Sequence, residues 1–106
     1  MSVMWRPDPA IDAARKLPDW GRFHRVCGQH DVVFDEFERV GRVYRCAGYL
    51  RTGRQHVETA RCEGASVVDA LTNTFHAMQV TIPEAQLMLD HGLKGAPKTI
   101  DYDDLF

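Results

Sequence analysis

The chain has 106 residues, 44% of them hydrophobic and 26% charged, with a formal net charge of −2 at pH 7; one core of ordinary size uses up that length, so a single globular domain is expected. No stretch approaches the roughly 18 consecutive apolar residues of a membrane span, and the slightly acidic balance excludes the strongly basic composition of a typical nucleic-acid module. Three cysteines, Cys27, Cys46 and Cys62, are an odd number at wide spacing and read as reduced, buried thiols rather than a disulfide framework.

The first segment, "MSVMWRPDPAIDAARK", has no apolar run after a basic start, which predicts no secretory or organellar signal and a cytoplasmic location. Asp8 followed by Pro9 reads as a cap with proline at the first helical position; Ile11, Ala14 and Leu17 then share one face until Pro18. "PDWGRFHRVCG" fits a short helix through Trp20, Phe23 and Cys27, or an ordered loop because of Gly21.

From Asp31 the period changes. Runs rich in Val, Phe, Tyr and Thr predict strands near 32 to 39, 42 to 50 and 55 to 62, joined by turns centred on Val40-Gly41 and Thr52-Gly53. "EGASVVDALTNTFHAMQ" returns to helical spacing, with Val67, Val68, Leu71, Phe75 and Met78 on one stripe and Ser66 with Asp69 as an acidic variant of the capping box. A last helix is expected from Pro83, capped by Thr81 and ended by Gly92, before the extended tail "LKGAPKTIDYDDLF". The fold class is therefore α+β: a three-stranded antiparallel β-meander with an amphipathic helix packed on one face, plus short N-terminal and C-terminal helices. Residues 1–100 form the domain and 101–106 an acidic C-terminal tail.

Charge is unevenly placed. Residues 39 to 62 hold six arginines against Glu58, while 63 to 106 hold seven acids against Lys94 and Lys98. Two-residue turns at the positions above put Glu36 opposite Arg45, Phe37 opposite Tyr44 and Tyr49 opposite His56. Val33, Phe37, Tyr44, Cys46, Leu50, Val57 and Thr59 then face the helix. Val32, Phe34, Glu36, Glu38, Arg45, Tyr49, His56, Glu58 and Cys62 lie on the exposed side. Opposite charges facing each other across strands cancel most of the field that would draw a polyanion. A one-residue bulge would swap faces.

The order helix, three strands, helix over roughly residues 8 to 78 resembles the double-stranded-RNA-binding domain. That family grips phosphates with a lysine cluster at the start of its last helix; the matching stretch here, "CEGASVVDAL", carries Glu63 and Asp69 instead, so the family is not assigned. The ending Asp101, Asp103, Asp104, Leu105, Phe106 resembles the acidic tip of bacterial single-stranded-DNA-binding proteins, which would imply a docking peptide; nothing else suggests that family's OB fold.

Several site readings remain. The exposed sheet face with Phe34 and Tyr49, the hairpin tip with Arg51, Arg54 and His56, and the tail with Asp103, Asp104 and Phe106 are the candidate partner-binding residues. Arginines beside an aromatic residue also suit nucleic acid, which is the alternative. Tyr49, His56 and Glu58 could build a general base, yet no nucleophile motif accompanies them, and an enzyme is not expected. His24, Cys27 and His30 have ligand-like spacing but lack the second half-site of a zinc knuckle; no metal or other cofactor is expected. The reading is a non-catalytic interaction module, protein-binding and regulatory, as an inhibitor or accessory subunit, with self-association as a further outlet of the same surfaces.

Overall fold

The structure is a computed structural model and describes residues 8–96. The element order is α1 (Pro9–Arg15), α2 (Trp20–Gln29), β1 (Val32–Val40), β2 (Val43–Thr52), β3 (Gln55–Gly64), α3 (Val67–Ala77) and α4 (Pro83–Asp90). The strands form one antiparallel sheet in the order β1-β2-β3, confirming the α+β meander.

Local chemistry explains the helices. The Asp8 carboxylate accepts from the backbone N–H of Ala10 at 2.9 Å, and Pro9 needs no partner for the hydrogen it lacks. The ambiguous second segment is a helix, because Phe23, Val26 and Cys27 together bury one face. Ser66 Oγ accepts from Asp69 N–H at 3.0 Å, the expected cap of α3, whose buried stripe is Val67, Ala70, Leu71, Thr74 and Phe75. Thr81 does not cap α4. The N-cap is Ile82, which makes no side-chain cap bond and is itself buried, so packing rather than a hydroxyl starts this helix. Its end is a Schellman motif: Gly92, at φ +62°, donates to the Leu89 carbonyl and Leu93 to that of Met88.

Residues 93 to 96, expected to open an extended tail, are instead packed on the domain. Leu93 is fully buried and accepts from Asp19 N–H at 3.0 Å, while Ala96 donates to Asp19 Oδ2 at 2.6 Å. The buried Asp19 thus ties residues 93 to 96 to the start of α2, whereas residues 97–106 lie outside the described residues.

Both turns sit one residue further along than expected. Val40 pairs with Val43 and Thr52 with Gln55, leaving Gly41-Arg42 and Gly53-Arg54 as the two-residue loops. Each glycine has φ near +60° and neither arginine after it does, the pattern of a type II′ turn with glycine first. Two bulges then restore the buried face. Between Asp35 and Glu38 the first strand carries one extra residue, with Glu36 at φ +57°, and between Glu58 and Ala60 the third strand carries Thr59.

These shifts correct the expected faces. Val32 and Phe34 point at the helices, 2% and 5% exposed, and the bulge lets Phe37 do so too despite a spacing of three from Phe34. Cys62 changes sides and lies opposite Cys46, whereas Val33 turns outward with its partner Tyr49. The described helices gather on one side, α3 over β2 and β3 and α2 over β1, around a core in which Phe23, Phe34, Leu71, Phe75 and Met88 meet. Among the described residues no helix lies on the other face of the sheet.

Candidate interaction surface

The face turned away from the described helices is a grid set by the register. Its rows are Val33, Tyr49 and Glu58; then Asp35, Ala47 and Arg61; then Glu38, Arg45 and Glu63. Ala47, at the centre of this grid, is fully buried.

Arg61 organises the centre. Its guanidinium donates to Glu58 Oε1 from Nε at 3.1 Å and also bonds Glu36, the left-handed residue of the first bulge. The Thr59 bulge allows the first of these pairs, since it brings Glu58 and Arg61, three apart in sequence, onto one face. Tyr49 interacts with the same Glu36 carboxylate. The Glu58 and Glu36 hydrogen bonds hold the Arg61 pKa above its ordinary value. Those from Arg61 and Tyr49 hold Glu36 below the usual carboxylate range, and Tyr49 is pushed up by its bond to Glu36. Beside this cluster Arg45 donates from Nε to Glu38 at 2.9 Å. The result is a face whose charges are largely satisfied in advance and whose side chains hold one another in place.

The residues read from sequence as partner-binding are dispersed. Phe34 is removed from any exposed surface, since the first bulge turns it into the core against Phe23 and Phe75. Arg51 does not reach outward from the tip: its guanidinium bonds Asp31 Oδ1 at 3.1 Å and the Gly28 carbonyl at 2.9 Å, clasping β2 to the loop after α2. Arg54 stays exposed at the turn, and His56 is exposed with its ring 6.4 Å from that of Tyr49. Asp103, Asp104 and Phe106 lie outside the described residues.

Of the residues read as a possible general base, Glu58 is bonded to Arg61 through Oε1, and His56 is exposed beside Tyr49. Nor does the arginine block offer one phosphate-binding patch. Arg39, Arg45, Arg51 and Arg61 have carboxylate partners in Asp8, Glu38, Asp31 and Glu36 with Glu58. Among the described residues Arg42 and Arg54 have no such partner, and they stand at opposite ends of the ten-residue β2, roughly 30 Å or more apart at about 3.3 Å per residue.

His24, Cys27 and His30 do not converge. His24 is wedged between Trp20 and Phe37, Cys27 is fully buried, and His30 is exposed at the end of α2; among the described residues no three metal-ligating side chains come together. Desolvation lowers the His24 pKa to about 4, against an opposing pull from Asp35 and with a smaller push from Arg15, and its buried Nε2 has no hydrogen-bond partner. His24 also lines a hollow of about 220 Å³ with Arg15, Trp20, Phe34, Asp35 and Phe37. A larger apolar groove of about 400 Å³ runs between α1 and the start of α3. No helix among the described residues is long and apolar enough to cross a membrane.

Sequence reasoning missed Arg61 and Glu36, the two residues that order the open face. The signal was present in the i, i+3 spacings of Phe34 with Phe37 and of Glu58 with Arg61, each of which needs a bulge to share a side. Comparison with protein-family models, curated protein sequences and solved structures gives no match to this chain.

Proposed function

We propose that this chain is a non-catalytic protein-binding module, regulatory in role as an inhibitor or accessory subunit, which engages its partner through the helix-free face of the sheet. One observation carries the reading: an aromatic ring and a guanidinium, Tyr49 and Arg61, both meet the Glu36 carboxylate on the face turned away from the described helices. Tyrosine and arginine are the residue types that most often anchor interfaces, and side chains already held in place lose less freedom on binding. The partner that suits the face is a protein surface offering polar groups to an alternating lattice of acids and arginines.

A photo-crosslinking residue placed at Val33, on the open face, and another at Asp90, on the exposed side of α4, test the proposal in the cell that makes the protein. Crosslinks to a defined protein are expected from position 33 and not from position 90. Equal or stronger capture from position 90 would overturn the assignment of the face, and crosslinking of position 33 to a second copy of the chain would redirect it to self-association.

A further inference from the structure

Cys46 and Cys62 are directly opposite each other in the β2–β3 ladder and both point to the helix side. Directly opposed residues of an antiparallel pair have Cα atoms about 4.5 to 5.5 Å apart, inside the span of about 4.4 to 6.8 Å that a disulfide bridges. Cys46 is fully buried beneath α3, where its thiol donates to Thr74 Oγ1 at 3.2 Å; Cys62, on the edge strand, is partly exposed. Burial raises the Cys46 pKa to about 11, against the pull of its hydrogen bond to Thr74 and with a smaller push from Cys62. Cys27 stands apart on α2, and burial alone raises its pKa to about 12.

We propose that Cys46 and Cys62 are a peroxide-reactive pair that closes to a cross-strand disulfide, with Cys62 the entry thiol and Cys46 the resolving thiol. The two differ in access in the way that division of labour requires: an oxidant meets Cys62 at the sheet edge, and Cys46 waits directly across the ladder. In the first step the Cys62 thiolate attacks one peroxide oxygen. The O–O bond breaks, the second oxygen leaves and takes up a proton as water, and Cys62 becomes a sulfenic acid. In the second step Cys46 sulfur attacks Cys62 sulfur, the S–O bond breaks, and the departing hydroxide takes the Cys46 proton to leave as a second water. Two thiols are oxidised by two electrons in all, and one hydrogen peroxide is reduced to two waters.

Closing the bond removes the hydrogen that Cys46 gives to Thr74 and joins β2 covalently to β3 under α3. This inference stands independently of the proposed binding function, because it rests on the register and not on a partner.

The test uses the folded full chain exposed to hydrogen peroxide, quenched, unfolded, alkylated and weighed intact. Expected is the loss of two hydrogens, with Cys46 and Cys62 recovered as one crosslinked peptide and Cys27 alkylated, the whole change being reversed by a dithiol reductant. The Cys46→Ser variant is expected to stop at a Cys62 sulfenic acid that a cyclic dione traps, and Cys27→Ser to behave as the parent. A monomer that retains three alkylatable thiols, a disulfide that includes Cys27, or Cys62 crosslinked only between chains would each overturn the pairing. Each of these three outcomes is read on the parent chain alone, whether or not a variant folds.

Discussion

Gly64, at the end of β3, stands so close to the first turn of α3 that a Cβ on it would fall on the backbone nitrogen of Ala70 and within 2.6 Å of the Asp69 carbonyl carbon. The strand and the helix that follows it therefore meet backbone to backbone, with no side chain between them that could yield. Gly64→Ala is expected to cost about 3 kcal/mol, toward the upper end of what overpacking does. Gly48 is also crowded, but by the Met78 side chain and by Thr74 Cγ2 at 3.1 Å. Since methionine can rotate away, Gly48→Ala is expected to cost only about 1 kcal/mol. Urea melts of the two variants measure this; equal costs would show that α3 shifts as easily as a side chain does.

His24 gives the fold a pH dependence. Its folded pKa is about 4 against an ordinary value of 6.5, so in the window between them the unfolded chain binds a proton that the folded chain refuses. The contribution is fully present above about pH 6.5 and is lost as the pH falls toward 4, amounting to about 3 kcal/mol at most. Stability measured from pH 4 to 7 should rise with pH, and His24→Phe should flatten that part of the slope. An unchanged slope in the variant would assign the dependence to other groups.

The Arg51–Asp31 pair is exposed on both sides, with 46% and 62% of the side chains accessible, and is screened accordingly. A double-mutant cycle with Arg51→Ala and Asp31→Ala is expected to give a coupling of about 0.5 kcal/mol, falling at high salt. Arg51→Ala alone should cost somewhat more than Asp31→Ala, since it also abandons the Gly28 carbonyl. A coupling near zero would mean that Arg51 does not hold this position in solution and is available at the hairpin tip.

Thr74 lies fully buried at the centre of the α3–β2 contact, its hydroxyl 2.7 Å from the Ala70 carbonyl and accepting from the Cys46 thiol. Thr74→Val keeps the shape and removes the hydroxyl, leaving the thiol without its acceptor. A loss of about 1 to 2 kcal/mol in chemical denaturation is expected. A neutral result would mean that the hydroxyl only satisfies its own burial.

The first bulge has a test of its own. Deleting Glu36 would make β1 regular against β2, with Phe37 opposite Cys46 and with Phe34 and Phe37 still on the helix side. The variant is expected to fold with the same core, while Arg61 loses one of its two carboxylates and the open face loses its frame. Amide spectra that change along β1 and β3 but not in α2 or α4 would match; global unfolding would show that the bulge is needed for the fold itself.

Much of the architecture was legible in local signals. Asp8-Pro9 and Ser66 with Asp69 announce helix starts through groups a few residues apart, and the helix stripe from Val67 to Phe75 appears in the core as its period requires. Thr81 was misleading for the same reason in reverse: a hydroxyl near a helix start is only an opportunity, and burial of Ile82 took the N-cap position instead. The open face was poorly legible. Its composition depends on parity along each strand, and parity is altered by every turn shift and bulge.

By itself the sequence determined the order of the strands and of every helix but α2, and the cancellation of the arginine block, because caps, glycine turns, periodicity and neighbouring acids act over a few residues. Only the tertiary structure decided which side of the sheet each residue occupies: that Phe34 is core, that Arg51 holds Asp31, that Arg61 joins Glu36 to Glu58, and that Cys46 faces Cys62. The physical reason is that two bulges and two one-residue turn shifts are chosen collectively. The chain accepts a left-handed Glu36 and an unpaired Thr59 because together they place Val32, Phe34, Phe37 and Cys62 against the helices.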